Sequence, residues 1–225
     1  MHSPYWSIQL SISRMSAWHN DQDASPRLDF IPTLQRRRLS PLARINLQLA
    51  YDINPDQQLL RCVFASRHGE IQQTVGMLQT LARDELLSPA TFSHSVHNAT
   101  QGLWSIFAQQ KDECSAISAG IDTLPMALLE AATMLSDRRE PAVLLMYSDE
   151  AVPDILKPDA TEAMQRFAVC ALIDANTPNL RLSALPSSPN HTPVATQHDV
   201  YRWWQSGEAQ LLTQGLNCVW EWTRV

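Results

Sequence analysis

Glycine is scarce in this chain, six of 225 residues, and it nowhere falls as G-x-G-x-x-G or G-x-x-x-x-G-K. The loops that cradle nucleotide phosphates are therefore missing. No apolar run approaches the roughly 20 residues that span a bilayer. The N-terminal MHSPYWSIQL has neither the charged start nor the apolar core of a secretion signal, so the expectation is a cytoplasmic protein with no membrane span. Basic charge is in deficit, 17 Lys and Arg against 23 Asp and Glu for a net charge of −6. That balance argues against a protein whose task is to grip nucleic acid backbones. Paired cysteine motifs are lacking as well. Cys62, Cys114 and Cys170 each sit inside an apolar run and none is spaced C-x-x-C, which predicts reduced core thiols rather than a disulfide frame or a zinc site. No cofactor and no bound metal are expected.

What is present is ordinary soluble-protein material, 44% hydrophobic and 18% charged. The length suits one domain over 1–225 that can bury a real core. Trp6–Met15 alternates apolar and polar residues and predicts a first strand with one solvated face. Ser40-Pro41 is an N-cap and first-turn pair for a helix striped by Leu42, Ile45 and Leu49, which must stop before Asn54-Pro55. Leu59–Ser66 reads as a strand covered on both faces. Ile71, Val75, Leu78 and Leu81 make a second amphipathic helix. The break at Leu87-Ser88-Pro89 leads into a loop and then a helix from about Asn98 to Gln109, apolar enough at Leu103, Trp104, Ile106 and Phe107 to be buried on most sides.

Cys114–Gly120 follows as a strand. A helix starts at Asp122 or Thr123, with Asp122 as its side-chain N-cap and Pro125 in the first turn. Ala142–Ser148 and Phe167–Ile173 are buried strands. This order requires an α/β sheet with helices on both faces. Residues 186–197 read as a mobile, proline-rich connection. A helix around His198–Gln214 and a strand Leu216–Arg224 complete the chain. Trp203, Trp204, Trp220 and Trp222 crowd this tail, as core packing or as a subunit contact.

Few residue patterns point to chemistry. His94 and His97 lie three apart but lack a third ligand type nearby. Ser66, His68 and Glu70 are hydrolase residue types, yet alternate positions cannot converge into a relay. His97 with Ser93 or Ser95 is the one hydrolytic pair left open. Arg36-Arg37-Arg38 reads as a solvated approach to a helix.

One resemblance stands out. Asn98, Gly102 and Ile106 fall at the spacing of the N-x-x-x-G-x-x-x-I helix of β-ketoacyl synthases, with Ser88-Pro89 opening the loop before it. More narrowly, S-R-H-G-E at Ser66–Glu70, F-S-H-S-V-H-N-A at Phe92–Ala99 and A-G-I-D-T at Ala119–Thr123 are similar to ketosynthase-like chain length factors, which accompany true ketosynthases in bacterial aryl polyene and related polyketide pathways. The likeness runs from about Trp6 to Asn176, leaving 177–225 as a family-specific C-terminal extension.

The resemblance implies a thiolase-like α/β fold, the N-terminal half of a ketosynthase, with a central mixed sheet and helices on both faces. It implies that Ile121, followed by Asp122, stands where those enzymes carry their nucleophilic cysteine. A chain ending at Val225 also has no room for the half-domain that brings two catalytic histidines, so no catalytic residue is expected. It implies pairing with an active β-ketoacyl-ACP synthase as a heterodimer through Cys114, Ser115, Ala116, Ile117, Ser118 and Ala119 with Asn98 and Gly102. It further implies that Pro89, Ala90, Thr91 and Phe92 reach the partner's acyl tunnel. Arg36, Arg37 and Arg38 gain a second reading, as a patch that attracts an acidic acyl carrier protein. The alternatives are a stand-alone thioester hydrolase or acyltransferase using His97 and a nearby serine, and a homodimeric scaffold for carrier proteins.

Overall fold

In the computed structural model, residues 3–19, 25–56, 58–137, 141–156, 166–187, 193 and 195–225 are described. Among them the strands form one eight-stranded sheet in the order β3-β2-β4-β5-β1-β6-β8-β7. The strands are β1 (Trp6–His19), β2 (Arg61–Ala65), β3 (Cys114–Ile117), β4 (Ala142–Asp149), β5 (Phe167–Asp174), β6 (Leu180–Pro186), β7 (Gln210–Gln214) and β8 (Cys218–Arg224). The helices are α1 (Thr33–Arg36), α2 (Pro41–Ile53), α3 (Ile71–Leu81), α4 (Pro89–Ser93), α5 (Ala99–Phe107), α6 (Thr123–Ser136) and α7 (Val200–Ser206). Strands β3, β2 and β4 run parallel, and every later pairing is antiparallel.

Strand alternation splits the core in two. Val143, Leu145 and Tyr147 of β4 join Val63 and Ala65 of β2 on the face that carries α6, α7 and the β8 tryptophans. Ala142, Leu144 and Met146 join Cys62 and Phe64 on the opposite face, under α2 and Trp104 of α5. All eight residues of β4 are buried, as a strand sandwiched between helices must be. Helix α2 is delimited as its sequence dictates: the Ser40 Oγ accepts from the Ala43 amide at 2.9 Å, Pro41 takes the first turn, and Asn54 ends it.

Several elements differ from the sequence expectation. Strand β1 is longer than Trp6–Met15 and lies inside the sheet, and its first part keeps the expected solvated face at Ser7 and Gln9. Its first part pairs with β6 and its second part with β5, with an irregularity between Ile12 and Arg14. There the Asn179 carboxamide accepts from the Ile12 amide and donates to the Ile12 carbonyl, both at 2.9 Å, filling the gap in the ladder. The expected helix His198–Gln214 is α7 followed by β7. Gly207, at φ 78°, stops it in a left-handed turn, and Gln210–Gln214 then hydrogen-bonds to β8.

The segment 177–225 thus adds β6, β7 and β8 to the common sheet, and its tryptophans pack inward. Trp203, Trp220 and Trp222 are buried, and Arg224 lies over the Trp203 and Trp204 rings. Half of the 186–197 connection, residues 188–192 and 194, lies outside the described residues. Among the described residues no helix is long and apolar enough to cross a membrane.

Candidate functional site at the head of α6

The passage from β3 into α6 is where the resemblance puts a nucleophile, and its local geometry follows from the sequence S-A-G-I-D-T. The strand expected over Cys114–Gly120 ends at Ile117. Gly120 adopts φ 58°, a left-handed conformation that glycine takes without steric cost, and opens a 3₁₀ turn over Gly120–Asp122. The Thr123 hydroxyl donates to the Gly120 carbonyl at 2.7 Å and accepts from the Ala119 amide at 3.0 Å, so the turn is locked before α6 begins.

Ile121 is half-buried in a small cleft with Arg67, Thr196, Gln197, His198 and Gln214. Asp122 is not the side-chain cap that was expected. Its backbone, at φ −93° and ψ 6°, lacks the extended conformation that aims an N-cap side chain at the helix amides. Its carboxylate instead accepts from the Trp220 indole N–H at 2.7 Å and from the Leu216 amide at 3.2 Å. The α6 amide of Leu124 is met by the Gln197 carboxamide oxygen at 3.1 Å, from a residue 73 positions away. Gly215 packs so closely that a Cβ there would lie 2.7 Å from the Trp220 indole nitrogen and 2.9 Å from Asp122 Oδ1. The chain's own C-terminal segment, through Gln197, Leu216 and Trp220, thus ties down the helix head.

The other predicted residues lie along the opposite end of the same stretch. Pro89, Ala90, Thr91 and Phe92 form no loop: they are the body of α4, capped by the Ser88 hydroxyl with Pro89 in the first turn. All four are exposed, Phe92 at 58%. Helix α5 is not buried on most sides as expected. Asn98, Gly102 and Ile106 face outward, Ile106 at 68% exposure, while Ala99, Thr100 and Trp104 face the core. Leu78 and Leu81 of α3 are likewise uncovered, leaving Val75 as that helix's buried residue. Among the described residues β3 pairs with β2 alone, so Cys114, Ser115, Ala116 and Ile117 form a sheet edge, with Ser118 and Ala119 just beyond it.

The remaining candidates separate. Arg36 is tied inward, donating to the Arg27 carbonyl at 2.9 Å and lying 3.6 Å from Asp29, whereas Arg37 and Arg38 are exposed. His68 is exposed and His94 half-buried. The hydrolytic pair is contradicted: His97 Nε2 lies 2.9 Å from the Ser66 carbonyl oxygen, the Ser93 hydroxyl donates to the Pro89 carbonyl, and the Ser95 hydroxyl donates to the Phe92 carbonyl. Local helical geometry claims both serines before they can reach the imidazole. Among the described residues no three His, Cys, Asp or Glu side chains gather as a metal site.

Sequence reasoning missed a buried polar cluster at the carboxyl ends of β2 and β4. Asp149 accepts from the Ser66 hydroxyl at 2.9 Å, the Arg67 amide at 2.7 Å and the Tyr147 hydroxyl at 2.5 Å. Beside it, Glu70 accepts from the Ser40 hydroxyl at 2.6 Å. Glu150 is pushed up to about 7 by burial and by the charge of Glu70, against the pull of Arg166. Glu70 is raised as well, chiefly by burial. The run Ser148-Asp149-Glu150 at the end of an apolar strand was the available signal.

The chain matches the model of the β-ketoacyl synthase N-terminal domain over residues 10–223. No curated protein matches it. Among solved structures it is similar to the ketosynthase ApeO in complex with its chain length factor ApeC from Xenorhabdus doucetiae, at 27% identity and a TM-score of 0.82, covering 96% of this chain and 100% of that one. Two further structures share the fold. The ishigamide ketosynthase/chain length factor has 14% identity and a TM-score of 0.53, covering 66% of this chain and 48% of that one. The complex AntDE:AntF, a type II polyketide synthase acyl carrier protein with its ketosynthase, has 10% identity and a TM-score of 0.63, covering 96% and 99%. With a thiolase-like mixed sheet, helices on both faces and a family match over most of its length, the chain belongs to the β-ketoacyl synthase N-terminal domain family.

Proposed function

We propose that this chain is a non-catalytic chain length factor that pairs with an active β-ketoacyl-ACP synthase and forms part of that partner's acyl tunnel. The observation that carries the reading is the α6 head. A ketosynthase needs a thiolate at a helix N-terminus, where aligned amides lower the thiol pKa. Here the candidate position is the hydrocarbon Ile121, the Leu124 amide is engaged by Gln197, and the neighbouring carboxylate is engaged by Trp220. An isoleucine side chain cannot form a thioester, so elongation would depend on the partner's cysteine.

Similarity to the ApeO–ApeC complex over 96% of the chain supports a paired subunit. So does the uncovered edge made by β3 with Asn98, Gly102 and Ile106, since small and apolar residues at a strand edge allow close approach. In this reading Thr91 and Phe92 project from α4 into the partner and limit the carbons its tunnel holds, because a bulky side chain in a closed tunnel clashes with a longer chain. Arg37 and Arg38 would draw an acidic carrier protein toward the cytoplasmic pair, while Arg36 keeps its internal contacts.

The test is co-expression with an active ketosynthase of the aryl polyene type, followed by sizing and analysis of the acyl products. A one-to-one complex, with a product length that shifts when Phe92 is replaced by Ala, is expected. A chain that elutes alone and leaves the product distribution untouched would sink the proposal.

A further inference from the structure

We propose that Cys62 and Cys114 form a reversible, peroxide-driven disulfide that staples β3 to β2: the two residues sit opposite each other in the parallel register, with Sγ atoms 2.7 Å apart. Neighbouring strands run about 4.8 Å apart. That separation falls inside the roughly 4.4–6.8 Å Cα window of disulfides, so the pairing of the strands brings the two thiols within bonding reach. Both side chains lie on the sheet face under α2 and α5, Cys62 fully buried and Cys114 half-exposed at the sheet edge. Neither strand's thiol was expected to be more than core filling, because sequence alone does not say which two strands are neighbours.

The two thiols are inequivalent. The Cys62 S–H donates to the Cys114 sulfur. That bond lowers the Cys114 pKa to about 7. The same contact, with burial, raises Cys62 and keeps it protonated. The half-exposed sulfur is therefore the one that ionises more readily to the thiolate, the species that reacts with peroxides, and the buried one is a resolving thiol beside it.

The chemistry balances with hydrogen peroxide as the oxidant. The Cys114 thiolate attacks one peroxide oxygen, the S–O bond forms as O–O breaks, and hydroxide leaves to become water. The Cys62 sulfur then attacks the sulfenic sulfur. The S–S bond forms, S–O breaks, and the second oxygen leaves as water with the Cys62 proton. Two thiols are oxidised by two electrons and one peroxide is reduced to two waters. A thiol reductant reverses the reaction, as befits a transient bond in a reducing compartment.

This inference does not depend on the proposed function, although it concerns the strand offered to a partner. A disulfide would fix a four-residue edge strand that is otherwise held by one ladder of hydrogen bonds.

The test uses the full chain alone, treated with hydrogen peroxide and followed by thiol titration, intact mass and peptide mapping without reductant. Two of the four thiols should disappear, with a mass loss of about 2 Da and one cross-linked pair containing Cys62 and Cys114, all restored by dithiothreitol. A Cys62→Ala chain lacks both the resolving thiol and the S–H donor that lowers the Cys114 pKa, so it should react more slowly and collect a dimedone-reactive sulfenic acid at Cys114 instead of a cross-link. Four surviving thiols in the wild-type chain, or oxygen added to Cys114 while Cys62 stays free, would overturn the proposal. Should the Cys62→Ala chain fail to fold, the wild-type map decides by itself.

Discussion

The stretch from Asn98 to Leu124 has two ends that the fold treats in opposite ways. At the α6 head, donors and acceptors are taken by the C-terminal segment, Trp220 and Leu216 on Asp122 and Gln197 on Leu124, and by the helix's own Thr123 on Gly120. At the β3–α5 edge, Gly102 and Ile106 stand open to solvent and the outer side of a strand lacks a partner among the described residues. The difference teaches where each end's function can lie. In the proposed function the tied helix head is the end without a reacting group, and the uncovered apolar edge is the surface for a second chain.

Breaking the closed end should cost most. Trp220 is 2% exposed and touches Trp6 edge-on at 5.3 Å. Its replacement by Ala should lower unfolding free energy by about 3–5 kcal/mol, read by denaturant titration. Trp220→Phe keeps most of the packing and should lose roughly 1.5–3 kcal/mol, the worth of a hydrogen bond to a charged group. A Trp220→Phe chain as stable as the wild type would mean that the Asp122 contact contributes nothing.

The buried acids at the carboxyl ends of β2 and β4 give the next effect. Glu150 titrates near 7 in the fold, above its ordinary value near 4.5. The folded state therefore holds a proton that the unfolded chain releases, so this contribution is complete below about 4.5, declines as pH rises toward about 7, and is gone above it. The expected loss is about 3 kcal/mol across that window. Glu150→Gln should flatten the stability–pH profile, and an unchanged slope would contradict the assignment.

At the open end the pattern should reverse. Ile106→Glu should leave the free chain within about 0.5 kcal/mol of its starting stability, yet weaken binding to an active ketosynthase by about 2 kcal/mol or more. A variant that unfolds the isolated chain would show that this face is core rather than interface. Smallest of all, Phe92→Ala should leave both stability and pairing nearly unchanged and act on product length alone.

How much of this was legible beforehand depended on locality. Helix α2, strands β2, β4 and β5 and the start of α6 were readable because caps, prolines and apolar periods are local signals. The partnering of Asp122 with Trp220 and of Leu124 with Gln197 was not, because it joins residues more than 70 positions apart that meet only once β8 lies beside β6. The misread His198–Gln214 failed for a different reason. Gly207 divides it, and the Gln210–Gln214 half is decided by pairing with β8 rather than by its own propensity. Asn98, Gly102 and Ile106 were found by their spacing, but their exposure was not. A helix stripe left open to solvent looks, in sequence, like one made to face the core. The Trp220 and Trp222 pair did carry a hint, since alternate positions on a strand share a face.

The central claim is that this chain assists condensation without carrying the growing acyl group. It is tested most directly by intact mass of both subunits after an active ketosynthase and this chain are incubated together with acyl carrier thioesters. The account predicts an acyl adduct on the ketosynthase and an unmodified mass for this chain, both in the complex and alone. A covalent acyl adduct on this chain incubated without its partner would contradict it.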